Sequence, residues 1–584
     1  MASKKKQTKV EEAKKNSHFL RGTIDQALHS DSPGFEQDDQ QLLKNHGVYQ
    51  QDDRDAREAN KVLGGEREII FMTRIKVPGG DLTPQQYLGM DKIAEELTLN
   101  RALRVTTRQN FQLHGVLKGT LKEAIKRVNQ VMLSTLCGCG DVERNIMAPP
   151  APFANPAHQA ARGLAKQLSD ALVPQTHAYH EIWLDGEKVD SSLDSEPLYG
   201  EQYLPRKFKT GIGLYDDNST DVHSQDVGLI AILEGDEFKG VNILVGGGLG
   251  MTHKMEDTYA RLGTPLGYAP AKHAIEVVRT IAEMFRDYGD RTDRKHARLK
   301  YIIEEQGIDA FREEFVSRVS FKLEPWQGNG HLAHQDWLGL HEQGDGRYFY
   351  GQYIANGRIM DTEVLRMKTA FRKIVEGLGP RVILTPNQNI IFGDLSEGDV
   401  EKLKRVVEAY NLPKVEGMSG VRRGAMACPA LPTCGLALTE AERIIPEVLD
   451  DLEREFVRLE LDEEPITVRM TGCPNGCARP YTADIGLVGH KPGHYDIFLG
   501  GRLAGDRLAD LYAQNVPQAD LVLVLRPVLE AWAHRRTPGQ GLGDYYQQLV
   551  AHQVAPHILT GSKESPTRQT VEAKILSLPV IGPE

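Results

Sequence analysis

The chain has 584 residues, 40% of them apolar and 26% charged, with a formal net charge of −11. That length exceeds what one hydrophobic core serves, so a multi-domain, soluble globular protein is expected. The negative balance argues against nucleic acid as the main partner, no apolar run reaches the length of a membrane span, and the start lacks the apolar core of a secretion signal.

In chain order, residues 1–67 read as an N-terminal arm. Its first fifteen residues, MASKKKQTKVEEAKK, carry six lysines and almost no large apolar side chain, so a disordered, solvated end is expected. Polar, loop-rich segments follow at Asn16–Thr23 and Asn45–Arg57.

Residues 68–136 read as strand–helix–strand–helix. Ile69–Ile75 is a buried strand. Thr83-Pro-Gln-Gln86 supplies an N-cap, a proline at the first helical position and a capping-box partner. Leu103–His114 alternates as a single strand, and Thr120-x-x-Glu123 caps the next helix. The pattern returns at 337–414: Gly351–Gly357, a helix from about Asp361, the strand Arg381–Phe392, and Ser396-x-x-Asp399 opening a last helix. Thr107-Arg-Gln-Asn110 aligns with Pro386-Asn-Gln-Asn389.

A second repeat accompanies the first. Lys209-Thr-Gly211 resembles Met470-Thr-Gly472, and Asn242–Leu249 resembles Asp496–Leu503. The chain therefore reads as a duplicated pair of units, with 137–336 and 415–584 flanking the pair 68–136 and 337–414. Duplication creates a pseudo-twofold cleft, and binding sites favour such interfaces. Val245–Gly250 is glycine-rich but lacks dinucleotide spacing; it reads as a place of close backbone approach to a cofactor.

The cations gather in the first copies. On one strand, Arg104, Thr106, Arg108, Gln112 and His114 share a face, which is either a solvated sheet face or a polyanion surface. Leu204–Thr210 reads as a strand with Lys207 and Lys209 on one face; two adjacent lysines repel unless solvated or bridged by an anion. Asp290–Lys300, with Arg294, Lys295 and Arg298, reads as a basic helix face.

Four of the six cysteines fall in the second copy as Cys428-x5-Cys434, then 38 residues, then Cys473-x3-Cys477. The strand Pro465–Thr471 delivers Cys473 at its tip. Four thiolates hold a cubane iron–sulfur cluster or zinc. The wide first pair, and Pro474 and Gly476 in the second, favour the bulkier cluster. Cys137 and Cys139 receive no role.

The segments MACPALPTCGLALTEAER and VRMTGCPNGCARP resemble the two cluster motifs of the sulfite and nitrite reductase hemoproteins. The resemblance runs from about Asn16 to about Gly543 and is most specific to hemoprotein (beta) subunits of assimilatory NADPH-dependent sulfite reductases. It implies an α/β (α+β), internally duplicated, three-domain fold with pseudo-twofold symmetry. The central domain pairs two ferredoxin-like (parachute) units, 137–336 binds siroheme and substrate, and 415–584 holds the 4Fe-4S cluster and siroheme. The resemblance further implies siroheme held by Arg104, Thr106, Arg108, Gln112, His114, Arg294, Lys295 and Arg298. The cluster would lie on Cys428, Cys434, Cys473 and Cys477, with Cys477 bridging to the siroheme iron. Arg74, Arg144, Lys207 and Lys209 would cage the substrate. The implied activity is six-electron reduction of sulfite to sulfide for cysteine biosynthesis in the cytoplasm. Electrons would come from an NADPH-oxidising flavoprotein with FAD and FMN, or from ferredoxin. A ferredoxin-dependent nitrite reductase on the same fold is the nearer alternative, disfavoured by Lys209, where nitrite enzymes tend to carry asparagine. A zinc-stabilised binding protein is the remoter one.

Overall fold

The computed structural model describes residues 6–65, 67–176, 178–179, 183–184, 187–188 and 196–551. Residues 1–5 and 552–584 lie outside the described residues. Among those described, no helix is long and apolar enough to cross a membrane.

The centre of the molecule is two five-stranded sheets. One orders its strands 48–52, 69–74, 111–116, 103–105 and 358–359; the other orders 339–342, 348–352, 390–395, 381–384 and 81–82. Each sheet is closed at one edge by a two-residue strand from the other copy. This reciprocal exchange fixes the pseudo-twofold relation, because neither unit completes its sheet alone. Both units share one core, in which Phe71, Tyr87 and Phe111 of the first pack with Tyr350, Phe371 and Phe392 of the second.

The flanking sheets are duplicates too. Strand Thr210–Gly213 runs parallel to Val227–Glu234, and Val468–Thr471 runs parallel to Ile485–Lys491. Each pair continues into two antiparallel strands, a 3-10 turn and a helix of 15 residues, Ala274–Tyr288 or Leu521–Arg535. Thr210 lies opposite Val227 as Val468 lies opposite Ile485. Lys209 is therefore the counterpart of Thr467, and the alignment of Lys209-Thr-Gly211 with Met470-Thr-Gly472 is out of register.

Local signals held where side chains do the capping. Two of the three expected caps form, both as capping boxes, Thr83 with Gln86 and Ser396 with Asp399. Pro446 sits in the first turn of helix Ile445–Arg458 and starts it.

Elsewhere tertiary context moved the boundaries. Helix Lys118–Gln130 begins after Leu117, ahead of Thr120, whose hydroxyl donates to the Leu117 carbonyl instead of capping. The second-copy helix starts at Met367 rather than near Asp361, which accepts hydrogen bonds from Thr369. Leu103–His114 is a hairpin of strands Leu103–Val105 and Phe111–Val116, not one strand. Its turn closes through Thr106 N to Asn110 O, with Gln109 at φ 50°. Leu204–Lys209 forms no strand beyond a bridge between Phe208 and Glu143. Asp290–Arg298 is loop, and helix begins only at Leu299.

The N-terminus departs most. Lys9–Lys15 is a helix with Glu11, Ala13 and Lys14 buried, not a disordered tail. Composition missed it because its buried face is charged and finds partners far away in the chain. The rest of the arm lies over the cluster region: Arg54 N donates to Pro432 O at 3.1 Å, and its guanidinium donates to Ala437 O at 2.6 Å.

Candidate active site

The cysteine loops are built from strand ends. Strand Val468–Thr471 runs parallel to Ala425–Ala427, so Cys428 and Cys473 emerge side by side from one sheet edge. Gly472 N donates to the Cys428 sulfur at 3.4 Å, and Asn475 Nδ2 to the Cys473 sulfur at 3.4 Å. Burial and the neighbouring thiols, Cys477 first among them, push the thiols of Cys428, Cys434 and Cys473 up, Cys473 to about 11. Three thiols whose ionisation is opposed in this way form a donor set that cationic iron would stabilise as thiolates. Thiols drawn together from two loops, close enough to act on one another's ionisation, suit an iron–sulfur cluster.

Cys477 is the outlier. It is exposed although Gly476 and Ala478 are buried. The Thr107 hydroxyl donates to Cys477 O at 3.0 Å, bringing the hairpin turn to the cluster loop. On the opposite side, Met251 N donates to Pro474 O at 2.9 Å. A Cβ on Gly250 would come within 3.3 Å of Asn475 O, so the glycine-rich loop does make a close backbone approach, to the cluster loop.

The hairpin corrects which cations share a face. Arg74 pairs with Gln112, Gln112 with Arg104, and Arg104 with Arg358 across four adjacent strands. Cross-strand partners point the same way, so these four side chains form one row, with His114 beside Gln112. The Gln112 carbonyl, once its amide is turned, accepts from Arg74 Nε at 3.0 Å. Arg104 donates to Glu442 at 3.1 Å and to Ala427 O at 2.9 Å, and Arg358 binds the same carboxylate at 2.7 and 2.9 Å. Glu442, within the first cysteine motif, thereby locks that motif onto the sheet. His114 is held neutral by burial and by Arg358, Arg104 and Arg74, and its buried Nδ1 finds no partner in the protein.

Arg108 lies in the turn, not on the strand face. It donates to Asn145 O, to Gln225 Oε1 at 2.6 Å and to Thr210 O at 3.0 Å. The Thr106 hydroxyl is occupied within the same turn, by Asn110 and by Arg108 N at 3.1 Å. Arg298 is buried against Asp226 at 2.8 Å, and Arg294 binds Asp141 at 2.8 Å. Lys295 is exposed and outside this set of mutual contacts.

Lys207 and Lys209 sit in a different environment. Protein surrounds both, yet each keeps some open surface, as side chains lining an internal cleft do. Burial pushes both ammonium groups well below the usual lysine range, followed by Lys209, Arg298, Arg206 and Arg144 for Lys207, and by Arg108, Arg298 and Arg144 for Lys209. Among the described residues, neither is given a hydrogen bond or ion pair, and Arg206 is in the same position. The sequence reading passed over Arg206; its signal was its place beside Lys207. Arg144 donates to Gly140 O at 3.2 Å and faces the half-buried Tyr49. Crowded cations that outnumber the carboxylates near them make a site for a small anion or for the carboxylates of a larger one. Together with the unpaired His114 Nδ1 and the exposed Cys477, they fit a polycarboxylate iron tetrapyrrole beside the cluster.

The duplicated counterpart of this face is closed. Ile383 and Ile391 stand where Arg104 and Gln112 stand in the first hairpin, and Gly351 stands where Arg74 does. They are packed under Ala151, Phe349, Phe153 and Trp337. Phe153 lies edge-on to Trp337 at 4.9 Å and to Phe349 at 5.2 Å.

A charged, open face beside a four-thiol loop in a twice-duplicated frame is matched by known proteins. The description "Nitrite and sulphite reductase 4Fe-4S domain" fits residues 164–323 and 418–541, and "Nitrite/Sulfite reductase ferredoxin-like half domain" fits 65–131 and 341–410. The chain belongs to the nitrite and sulfite reductase family. All four cluster-loop cysteines lie inside the matched 4Fe-4S domain. A Staphylococcus haemolyticus family member, the sulfite reductase (NADPH) hemoprotein beta-component, is 44% identical over 93% of this chain and 95% of its own. A Synechococcus elongatus member, sulfite reductase (ferredoxin), is 42% identical over 94% of this chain and 90% of its own. The Mycobacterium tuberculosis NirA structure superposes with a TM-score of 0.74 at 23% identity, over 94% of this chain and 97% of that one. The family's duplicated fold is therefore the fold of this chain.

Proposed function

We propose that this chain is the hemoprotein of an assimilatory sulfite reductase, reducing sulfite to sulfide with six electrons in the cytoplasm. The observation that carries the reading is the group Arg206, Lys207 and Lys209, crowded cations that make no hydrogen bond or ion pair among the described residues, in a chain whose fourth cluster-loop cysteine, Cys477, is exposed. The names carried by its relatives support sulfite as the substrate.

When bound, siroheme supplies an iron that binds sulfur, and the 4Fe-4S cluster supplies electrons one at a time. Cys428, Cys434, Cys473 and Cys477 would hold the cluster. Arg74, Gln112 and His114 in the sheet row, with Arg104, Thr106, Arg108, Arg294, Lys295 and Arg298 around them, would face the tetrapyrrole carboxylates. Arg144, Lys207 and Lys209, with Arg74, would bind the sulfite oxygens. Each S–O cleavage consumes two electrons and two protons and releases water. Lysines whose ammonium groups are destabilised by burial are apt proton donors to a leaving oxygen, since giving up a proton relieves repulsion within the group. Water-excluded surroundings make each remaining cation count for more than it would in solution.

The electron donor is proposed to be an NADPH-oxidising flavoprotein, with ferredoxin as the other candidate. The deciding experiment is an anaerobic assay of the purified chain with reduced methyl viologen, after its visible spectrum has shown siroheme. Sulfide formed in proportion to donor oxidised is the expected result; ammonia from nitrite at a much higher rate would favour the nitrite reading instead.

A further inference from the structure

The buried N-terminal helix has no part in the site as described so far. Glu11 and Lys14 are each 1% exposed, as is uncommon for charged residues. Buried ion pairs add little net stability over apolar packing, so what they touch matters more. Lys14 Nζ donates to Leu204 O at 2.8 Å and lies 3.3 Å from Asp141 Oδ2, with Glu11 of its own helix as a third partner. Glu11 pairs in turn with Arg291, whose guanidinium donates to Tyr203 O at 2.7 Å. Asp141 also takes Arg294, which donates to Pro205 O at 3.2 Å. Asp141 N donates to Asn45 Oδ1 at 2.8 Å, and Leu204 N to Asp141 O at 3.0 Å.

One buried carboxylate thus joins the N-terminal helix to the two irregular segments that carry the cations. Arg144 lies three residues after Asp141, and Lys207 three after Leu204. Beyond this hub the segments are held to each other by bridges at Glu143–Phe208 and Met147–Gly211 and by the Glu143 carboxylate, which accepts from Thr210. Lys207, Lys209, Arg206 and Arg144 repel one another, so their spacing has to be imposed from outside the group.

We propose that Lys14 and Asp141 are positioning residues that set the distance between Arg144 and the pair Lys207 and Lys209, making the N-terminal helix part of the anion site. This rests on the reading of those cations as the sulfite site.

The test uses the full-length holoenzyme with Lys14→Met, Lys14→Arg and Glu11→Gln. Siroheme and iron content, sulfite kinetics with reduced methyl viologen, and amide hydrogen exchange are measured. Lys14→Met and Glu11→Gln should keep both cofactors and raise the sulfite KM about tenfold, with kcat changed less than about threefold. Lys14→Arg should recover most of the loss. Exchange should quicken in 141–147 and 204–211 but not in 485–499. An unchanged KM in both variants overturns the proposal, as does unchanged exchange in 141–147 and 204–211, which needs no substrate to observe. KM rising only together with cofactor loss also overturns it, showing a merely structural helix. Wild-type protein that loads siroheme but reduces no sulfite would instead defeat the functional reading, leaving the exchange result to judge the hub alone.

Discussion

Lys207 and Lys209, like Arg206, make no hydrogen bond or ion pair among the described residues. Removing such a charge should spare the fold and harm the reaction. Lys207→Met and Arg144→Ser are expected to retain both cofactors and lose about 10²-fold in kcat/KM for sulfite, measured with reduced methyl viologen. Lys209→Asn should move the ratio of sulfite to nitrite turnover towards nitrite; an unchanged ratio would remove Lys209 from substrate selection. Glu143 makes a second residue-level case. Burial raises its carboxyl from 4.5 to about 7, although Thr210 and Arg108 pull the other way. Between those pH values the folded chain holds a proton that the unfolded chain has released. Its contribution to stability is therefore complete below pH 4.5 and lost as pH rises through about 7. Glu143→Gln should flatten this dependence, by an amount on the order of 3 kcal/mol across the window, read from denaturation midpoints at the two ends.

The elements that matter most are those that end at the site. The two parallel strands before Cys428 and Cys473 bring both cysteine pairs to one edge, and Glu442 pins the first motif to the central sheet through Arg104 and Arg358. Cys473→Ser is expected to lose cluster iron and acid-labile sulfide, and most of the tetrapyrrole with them; full iron in the purified variant would place the cluster elsewhere. The loops are also joined across the duplication. Register makes Asp221 the counterpart of Arg479, and the two bind each other at 3.0 Å, with Arg469 on the same carboxylate at 3.0 Å. All three are buried, so the cluster half and the anion half are locked together by an ion cluster between equivalent positions.

At the scale of the whole molecule, duplication built two equivalent sheet faces and gave them opposite character. Charge occupies the first face, while isoleucines under an aromatic plug occupy the second. On the proposed function, electrons reach the chain from a separate protein. The pure chain should be inactive with NADPH alone, active with reduced methyl viologen, and active with NADPH once a diflavin reductase is added. Anaerobic NADPH oxidation and sulfide release measure this, and steady NADPH-driven sulfide from the chain alone would mean an overlooked cofactor site.

Sequence alone determined whatever depends on local order along the chain. The four-cysteine spacing, the two capping boxes, the repeat and the lysine pair each involve neighbours whose geometry follows from chain connectivity. It misjudged what depends on partners far away. Lys9–Lys15 looked like a solvated tail because nothing local shows that Lys14 meets Asp141 and Leu204. Arg104 and Arg108 looked alike because a strand and a hairpin share the same alternation until the turn is seen. Arg358, Glu442 and Arg206 carried no signal strong enough to single them out. Only the tertiary structure decided which cations are neutralised by protein and which face the cleft, because that depends on carboxylates hundreds of residues away.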